Sequence, residues 1–372
     1  MRDKTITLSL STFFLVLLSV LLVILLWQLR GLVLLLMISI VLAASIAPLV
    51  DAAENLRVPR WLGVILVYLM LLSGLTGLGL LIGPTVFQQI ERLLQKLPYY
   101  TEILIKLAED VVDNWTNTPP EAFNLIDIQQ ITSWLIRSSQ QLVLRSYSIT
   151  RGIIGGVFSL ILSLFISGYM VADSETLIKS VVRLLPHPWE ERIAAQIPTI
   201  SYRMGSYIRG RLLVSFILGI VTTLGLGILG LREFSLGLGA IAGVTNLIPF
   251  IGPVLGAIPA LVVSIASGGW VFLWVLIFFV VIQNIETYIL DPFLVGSSVG
   301  VHPLYQLLAV LGGTQVLGII GALIVPPWVA GGATLLENLY IQPKLDAEKA
   351  MKTSGAIADG SGGAQVGRSE VD

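Results

Sequence analysis

Cysteine is absent from the 372-residue sequence, and His187 and His302 are its two histidines. The absence of cysteine excludes disulfides, thiolate-bound metals and cysteine nucleophiles. Two imidazoles cannot form a multi-histidine metal site within one chain. The sequence also contains neither a nucleotide-binding P-loop motif nor the HExxH motif of zinc hydrolases. We therefore expect this chain to be neither an enzyme nor a protein that binds a metal or an organic cofactor.

Charge is also scarce. Charged residues make up 12% of the sequence, about half the fraction that is typical of a soluble domain, whereas 55% of the residues are hydrophobic. The formal net charge is −1, so no bulk electrostatic field would attract nucleic acid. A water-soluble core cannot hide so much apolar surface, but lipid can cover it. The composition therefore predicts an all-α integral membrane protein with lipid as its main surrounding.

Six segments are long and apolar enough to cross a bilayer as ordinary helices. A hydrocarbon core of about 30 Å needs roughly 20 apolar helical residues. The first segment is too long for the apolar region of a signal peptide, and no small-residue cleavage site follows it. The six predicted spans are residues 8–29, 31–50, 61–83, 152–171, 212–231 and 270–290.

An amphipathic region follows the third span. Gly83 and Pro84 are expected to end that span, after which apolar residues recur every three or four positions among Gln, Glu and Lys. This pattern predicts amphipathic helix, which Pro98, Pro119 and Pro120 are expected to divide into pieces.

These changes in character divide the chain into four parts. They are an amino-terminal group of three spans, an extracytoplasmic amphipathic helical insertion, a carboxyl-terminal transport core that includes a cytoplasmic amphipathic segment at 173–211, and a disordered Gly/Ser-rich tail. The corresponding residues are 1–83, 84–151, 152–341 and 342–372.

Basic residues set the expected orientation. Most of the 22 lysines and arginines lie at the amino end, around Arg57, in residues 173–211 and in the tail, and we place none of them mid-membrane. Positive charge in short loops favours the cytoplasmic side. Both termini are therefore expected in the cytoplasm, and Arg209 and Arg211 are interpreted as positive-inside anchors at the start of the fifth span.

Two further apolar stretches, residues 235–265 and 304–335, are too long for one span and too short for two. Each is interrupted by helix-breaking residues, and a proline inside a helix costs about 3 kcal/mol. If both stretches are simple spans, the loop at 266–269 lies inside. If both are re-entrant hairpins, which we favour, that loop lies outside and the hairpins enter from opposite faces. The residues predicted to break the helices and gate transport are Pro249, Gly252, Pro253, Gly256, Pro259, Gly312, Gly313 and Pro326.

The two stretches also resemble each other. At an offset of 69 positions, residues 240–252 and 309–321 share five identities in thirteen, and Asn246 aligns with Gln315. The alternative to a true repeat is chance similarity, because both segments are rich in Gly, Ala and Ile. Paired, Gly/Pro-interrupted apolar segments indicate the binding site of a transporter, since unwound backbone is tolerated at membrane depth only around a cavity.

Polar residues near these breaks are the candidate pathway. Glu286 is the carboxylate most clearly inside a central span, and Gln283 and Thr287 share its helix face at i, i+3 and i+4 spacing. A buried acid in lipid usually lines a pathway or a proton relay. The alternative is that Glu286 lies near the interface and only solvates the helix end. The predicted substrate or ion pathway consists of Thr245, Asn246, Gln283, Asn284, Glu286, Thr287, Asp291, Thr314 and Gln315.

A string of motifs in the carboxyl-terminal half resembles the autoinducer-2 exporter (AI-2E-type, PerM-like) family of prokaryotic membrane proteins. The motifs are YIRGR at 207–211, NLIPFIGP at 246–253, DPFLVG at 291–296 and VHPL at 301–304. The match over about 150–340 is dense and in order, whereas the amino-terminal half matches mainly in hydropathy. Many relatives carry Gln at the position of Arg211, and the position of Asp291 varies, which leaves the substrate open.

The resemblance implies an oligomeric membrane protein of about eight segments that transports small solutes. Members are assigned to autoinducer-2 export, and some to sodium–proton exchange. We therefore predict a secondary exporter of a small polar solute, such as an autoinducer-2-like molecule, in a prokaryotic plasma (inner) membrane. The alternatives are a sodium(lithium)/proton antiporter that uses Glu286 and a non-transporting membrane scaffold. The expected partners are lipid, the solute, H⁺ or Na⁺ and further copies of the chain, without nucleic acid.

Overall fold

The computed structural model describes residues 10–115, 158–296, 302–349 and 351. Within these ranges all regular secondary structure is helical. The α-helices are α1 Leu10–Gln28, α2 Arg30–Asn55, α3 Arg60–Trp115, α4 Phe158–Ala172, α5 Ser174–Val182, α6 Trp189–Ile228, α7 Ser235–Thr245, α8 Ile251–Ala266, α9 Gly269–Ile285 and α10 Pro303–Leu336. The π-helical segments Glu286–Leu290 and Pro292–Gly296 continue α9, and Glu337–Ile341 continues α10.

Helix length and surface character agree with the predicted membrane fold. The described residues contain five helices long and apolar enough to cross a bilayer, or six if α4 and α5, bent by 85°, form one broken span. Large apolar side chains lie on the outside of the bundle, such as Leu69 at 61% and Leu80 at 74% exposure. Lipid rather than water suits such a surface. The all-α integral membrane class is confirmed, while the number of eight segments stays a prediction.

The third span does not end where its sequence indicated. Helix α3 continues through Pro84 and Pro98 to Trp115, so the predicted breaks at Gly83-Pro84 and at Pro98 are wrong. A proline removes one backbone hydrogen bond but its fixed φ is compatible with helix, and adjacent turns maintain the axis. With 56 residues, α3 is about 84 Å long at 1.5 Å per residue. It therefore extends well beyond one bilayer thickness. Pro119 and Pro120 lie outside the described residues.

Helix α6 is the element around which the others pack. It joins the basic segment and the fifth span, which the sequence suggested as separate units, into one 40-residue helix that contacts α2, α7 and α10. Close contacts use glycine: Gly205 meets the backbone of Ala44 in α2, and a Cβ on Gly243 would lie 3.0 Å from the carbonyl oxygen of Ser215. Small residues let helix backbones approach in the way that lipid-embedded helices require.

The first overlong stretch folds back on itself. Helices α7 and α8 are separated by residues 246–250, where Phe250 adopts a positive φ of 64°. Gly252 meets the backbone of Thr245, and a Cβ on Gly256 would lie 2.8 Å from the Cα of Ala242. These contacts make α7 and α8 an antiparallel pair, which we call hairpin 1 (residues 235–266). Its close packing depends on the two glycines that the sequence singled out.

The second overlong stretch also folds back. Gly318 has φ 69° and ψ −157°, which interrupts α10. Gly313 and Gly321 are in backbone contact, although eight residues of straight helix would separate them by about 12 Å. The arms 303–317 and 319–336 therefore form hairpin 2. The predicted repeat aligns Pro249 with Gly318, within one residue of the positive φ in each hairpin.

The hairpins enter the bundle from opposite ends. Ser235, at the start of hairpin 1, lies beside Gly227 near the carboxyl end of α6. Gly331, in the second arm of hairpin 2, packs on Ile200 and Met204 toward the amino end of the same helix. This arrangement is the one that the hairpin alternative predicted, with the chain ends of each hairpin on opposite faces.

The membrane side of the loop after hairpin 1 is directly testable because the chain has no native cysteine. We expect Ser267→Cys to react with a membrane-impermeant maleimide in intact cells, since hairpin 1 returns to the end of the bundle opposite to the one that the basic residues predict to be cytoplasmic. Glu191→Cys, at the start of α6, should react only after permeabilisation. Labelling of the Ser267→Cys variant only from the cytoplasm would show that α7 and α8 together cross the membrane as a simple span.

Candidate ion-paired transport site

Four polar side chains from three elements meet at the tip of hairpin 1. Arg211 of α6 donates from Nη1 to Glu286 Oε1 at 3.1 Å and to Asp291 Oδ1 at 3.2 Å. Its Nη2 donates to Oδ1 of Asn246, the residue that follows α7, at 3.4 Å. We call these four residues the Arg211 cluster. One guanidinium thus ties together α6, the tip of hairpin 1 and the π-helical end of α9.

The cluster is buried on all sides but one. Arg211 and Asn246 are each 2% exposed and Glu286 is 3% exposed, whereas the side chain of Asp291 is 39% exposed. Taking an ion out of water costs several kcal/mol, which is offset only by well-placed opposite charges and hydrogen bonds. The two carboxylates supply that compensation to Arg211. Asp291 is the side from which solvent or a solute can reach the cluster.

A change of helix type brings the two carboxylates to one side. In an α-helix, residues five apart point about 140° away from each other. In the π-helical segment Glu286–Leu290 the amide of Asp291 donates to the carbonyl of Glu286, so the two residues stack about one turn apart. Both can then face Arg211. Such π-helical insertions are frequent at functional sites.

Gly210 allows the segment Pro292–Gly296 to pack closely against α6 next to Arg211. Gly210 is in contact with the backbone of Leu294, and a Cβ at this position would also lie 3.1 Å from Cγ2 of Val295. Any larger residue at 210 would displace the segment Pro292–Gly296. The position of Asp291 beside Arg211 therefore depends on glycine at position 210, which has no side chain.

The cluster contains more carboxylates than guanidinium groups. With all groups ionised, one guanidinium faces two carboxylates, which leaves one negative charge uncompensated within the cluster. In the described part of the chain, the buried atoms Arg211 Nε, Ser215 Oγ and Asn246 Nδ2 have no hydrogen-bond partner. Each unpaired buried polar group costs about 1–3 kcal/mol. A polar solute could therefore accept hydrogen bonds from the unpaired donors, and a cation could neutralise the excess negative charge.

Other predicted pathway residues take no part in the hydrogen bonds of the cluster. Thr245 and Thr314 donate to the carbonyls of Ile241 and Val310 in their own helices. Gln315 is exposed at the tip of hairpin 2, far along the chain from the cluster. The hydroxyl of each threonine is thus used locally.

The helix face predicted around Glu286 forms only in part. Gln283 Nε2 lies 3.5 Å from Thr287 Oγ1, and the Asn284 amide donates to the carbonyl of Val280. Thr287 and Asn284 are exposed, while Glu286 shares a buried face with Ile282. Glu286 thus faces the interior of the bundle, while Gln283 and Thr287 lie beside each other on a more exposed face. A role of Gln283, Asn284 and Thr287 in transport stays a prediction.

The two arginines predicted as interfacial anchors differ in their surroundings. Arg209 Nη1 donates to the carbonyls of Ala44 and Ser45 at 3.2 and 2.9 Å, which joins α6 to α2. Arg211 is inside the bundle rather than at the surface position that an anchor would take. Charge complementarity in the sequence could have revealed the buried position of Arg211. A single Arg at the edge of an apolar segment needs carboxylate partners, and Glu286 and Asp291 occur at the end of a later apolar segment.

The described residues also enclose space away from the cluster. A cavity of about 620 Å³ lies between α2, the α4–α5 bend and α6, with Asp51 and Arg60 at one end of a mainly apolar lining. A second cavity of about 400 Å³ lies between α3, the ends of hairpin 1 and the loop before α7. In these same ranges no group of three or more acidic or imidazole side chains is placed to bind a metal.

The chain is similar to a family of known membrane proteins. The model of the family described as AI-2E family transporter matches residues 13–341. Two Bacillus subtilis (strain 168) proteins that carry the name "Putative transport protein", YrrI and YueF, are similar to it. YrrI is 31% identical over 298 residues, covering 79% of this chain and 83% of that protein. YueF is 27% identical over 284 residues, covering 75% and 76%.

More distant relatives have names of the same kind. A transport protein of Mycobacterium tuberculosis, MT0215, is 25% identical over 307 residues, which is 79% of each chain. These similarities extend over the helices that hold the Arg211 cluster.

The energetic role of the cluster can be measured with a double-mutant cycle. Arg211→Met should lower the free energy of unfolding in detergent by about 3–5 kcal/mol, since it leaves Glu286 buried without a cation. Adding Glu286→Gln should recover part of that loss, giving a coupling energy above about 1 kcal/mol.

The matched control is the Arg203–Glu337 pair, whose atoms are 3.4 Å apart but whose side chains are 23% and 41% exposed. The cycle of Arg203→Met and Glu337→Gln should give a coupling of about 0–1 kcal/mol. Equal coupling energies in the two cycles would contradict the role assigned to burial.

Proposed function

Because the chain belongs to the AI-2E family of transporters, we propose that it is a secondary transporter that exports a small polar solute through the Arg211 cluster. An autoinducer-2-like molecule is the first candidate solute. The observation that carries the proposal is a buried, incompletely neutralised ion cluster at the unwound tip of a helical hairpin. Transporters place their sites at such interrupted helices.

The tip of hairpin 1 is well suited to act as a gate. It is joined to α6 by one hydrogen bond between Arg211 and Asn246 and by glycine contacts, which permit sliding better than interlocked large side chains would. Moving the tip away would break that bond and expose the carboxylates. A solute whose oxygens accept from Arg211 and Asn246 would replace the lost bond. Binding and opening would then be coupled through the same atoms.

Export needs the cluster to be reached from both sides in turn. Asp291 is its most exposed member, and the basic residues around Arg211 predict that the cytoplasm is the nearer side. Hairpin 1 enters from the carboxyl end of α6 and covers the cluster from that side, so the state seen here would receive solute from the cytoplasm. Movement of hairpin 1 would complete alternating access.

A second candidate function is sodium(lithium)/proton antiport. The observation that favours it is the excess of carboxylate over guanidinium, because the uncompensated negative charge can be neutralised either by a proton or by a monovalent cation. Alternate occupancy of Glu286 and Asp291 by H⁺ and by Na⁺ would couple the two fluxes. Intramembrane acids of this kind are typical of proton relays.

Flux measurements on purified protein in liposomes test the first function. We expect solute-specific flux for at least one member of a panel that includes autoinducer-2, and a loss of about tenfold or more in Glu286→Gln, since the neutral amide cannot pair with Arg211 in the same way. Glu337→Gln, which removes a carboxylate from a more exposed ion pair, is the matched control and should keep its flux. Unchanged flux and pH dependence in Glu286→Gln would remove Glu286 from the mechanism.

The same vesicles separate the two functions and the scaffold alternative. With an imposed pH gradient and no solute, an antiporter should collapse the gradient when Na⁺ or Li⁺ is added, and Asp291→Asn should weaken that response. A solute exporter should respond only to its solute. Flux equal to that of empty vesicles for every solute and ion would support a non-transporting scaffold.

A further inference from the structure

The long extension of α3 beyond Pro84 is docked on the start of hairpin 1. The side-chain oxygen Oε1 of Gln89 accepts a hydrogen bond from the amide of Gly237 at 2.7 Å. Gly237 is the third residue of α7, and the first amides of a helix have no partner within the helix. α7 begins without a side-chain cap of its own. Gln89, 148 positions earlier in the sequence, therefore supplies a cap from another helix.

A second contact lies two helical turns further along α3. The ammonium of Lys96 is 3.0 and 3.2 Å from the two carboxylate oxygens of Glu233 and 5.0 Å from the ring centre of Phe234. These two residues directly precede α7. A cation shared by a carboxylate and an aromatic face gains from both interactions. Lys96 thus holds the loop that leads into hairpin 1.

The polar contacts belong to one face of α3. Leu93 and Tyr100 are 7% and 5% exposed and pack in the same apolar cluster as Leu238 of α7 and Ala260 of α8. Residues 89, 93, 96 and 100 follow the spacing of a single helical stripe. The amphipathic character recognised in the sequence therefore has a specific partner, the outer end of hairpin 1.

Open space lies next to this contact. The cavity of about 400 Å³ is lined by Lys96, Tyr99 and Tyr100 on one side and by Phe234, Val263 and Ser267 at the two ends of hairpin 1 on the other. Protein interiors are otherwise close-packed, and motion of a packed element needs room. The base of hairpin 1 can therefore shift relative to α3 without first displacing a packed core at this point.

We propose that the α3 extension sets the position of hairpin 1, and that Gln89, Lys96 and Glu233 are positioning residues for transport. This inference rests on the proposed function, in which the tip of hairpin 1 is the gate. The tip lies about 16 Å from the base, the length of the 11-residue α7. A small tilt at the base moves Asn246 relative to Arg211. The extracytoplasmic contacts thereby control how readily the gate leaves the Arg211 cluster.

The positioning role is tested first without any solute, by the labelling rate of Ser267→Cys in purified protein. We expect Lys96→Glu and Glu233→Lys each to speed maleimide labelling by about two- to fivefold, the range that an exposed ion pair can supply. The double charge swap should return the rate to within about twofold of the starting protein. Lys179→Glu, which breaks the exposed Lys179–Glu175 pair on α5, is the matched control and should leave the rate unchanged.

Gln89 provides an independent variant pair. Gln89→Leu removes the acceptor for the Gly237 amide and should speed labelling, whereas Gln89→Glu keeps an acceptor oxygen and should preserve the rate. Val214→Cys, fully buried in α6, should stay unreactive in every background, which distinguishes displacement of hairpin 1 from unfolding.

Two results would overturn the proposal. The first is labelling of Ser267→Cys at the starting rate in Lys96→Glu, Glu233→Lys and Gln89→Leu. The second is altered labelling with an unaltered flux of a protein that transports a solute or ion. Absence of any flux in the unmodified protein would instead count against the proposed function, and the labelling rates would still decide whether α3 positions the hairpin.

Discussion

The rest of the structure depends on one constraint: a guanidinium inside a lipid-embedded helical bundle needs its compensating charges within hydrogen-bond distance. Arg211 meets that requirement with Glu286 and Asp291, which come from a segment 75 and 80 positions later in the chain. In a medium of low polarity, loss of both carboxylates would expose the full cost of the buried guanidinium charge. The packing of α6 against α7 and the end of α9 is therefore organised around one side chain.

The irregular parts of the backbone follow from this constraint. A regular α-helix would direct Glu286 and Asp291 to different sides, and the π-helical turn removes that conflict. A residue with a Cβ at 210 would keep the segment after Asp291 at a distance. The break at 246–250 places Asn246 beside Arg211, which lies in the middle of α6. Departures from regular structure are expected where function, rather than stability, sets the geometry.

The two hairpins and the α3 extension determine which elements around the cluster are held and which can move. Hairpin 1 is held at its base by Gln89 and Lys96 and at its tip by Arg211, on opposite ends of the same short element. Hairpin 2 enters from the other end of α6, so the bundle has a broken helix pair facing each side. Paired interrupted helices that enter from opposite sides are common in secondary transporters.

The sequence by itself determined the membrane class, the helical content, the two broken stretches and the placement of Glu286 inside an apolar segment, because hydropathy, helix-breaking residues and a lone acid in an apolar segment are local properties. The sequence also favoured the hairpin alternative, because the repeat aligned the helix-breaking residues Pro249 and Gly318. Local rules failed for α3, where neighbouring turns maintain a helix through Pro84 and Pro98.

Only the tertiary structure decided which polar residues meet. Spacing along an ideal α-helix grouped Glu286 with Gln283 and Thr287, and charge rules assigned Arg211 to the interface. The folded chain instead pairs Glu286 with Arg211 and leaves Thr287 exposed. Ion pairing across 75 residues depends on the relative placement of helices, which no local pattern encodes, and a π-helical turn changes the facing of a side chain without a sequence signature of its own.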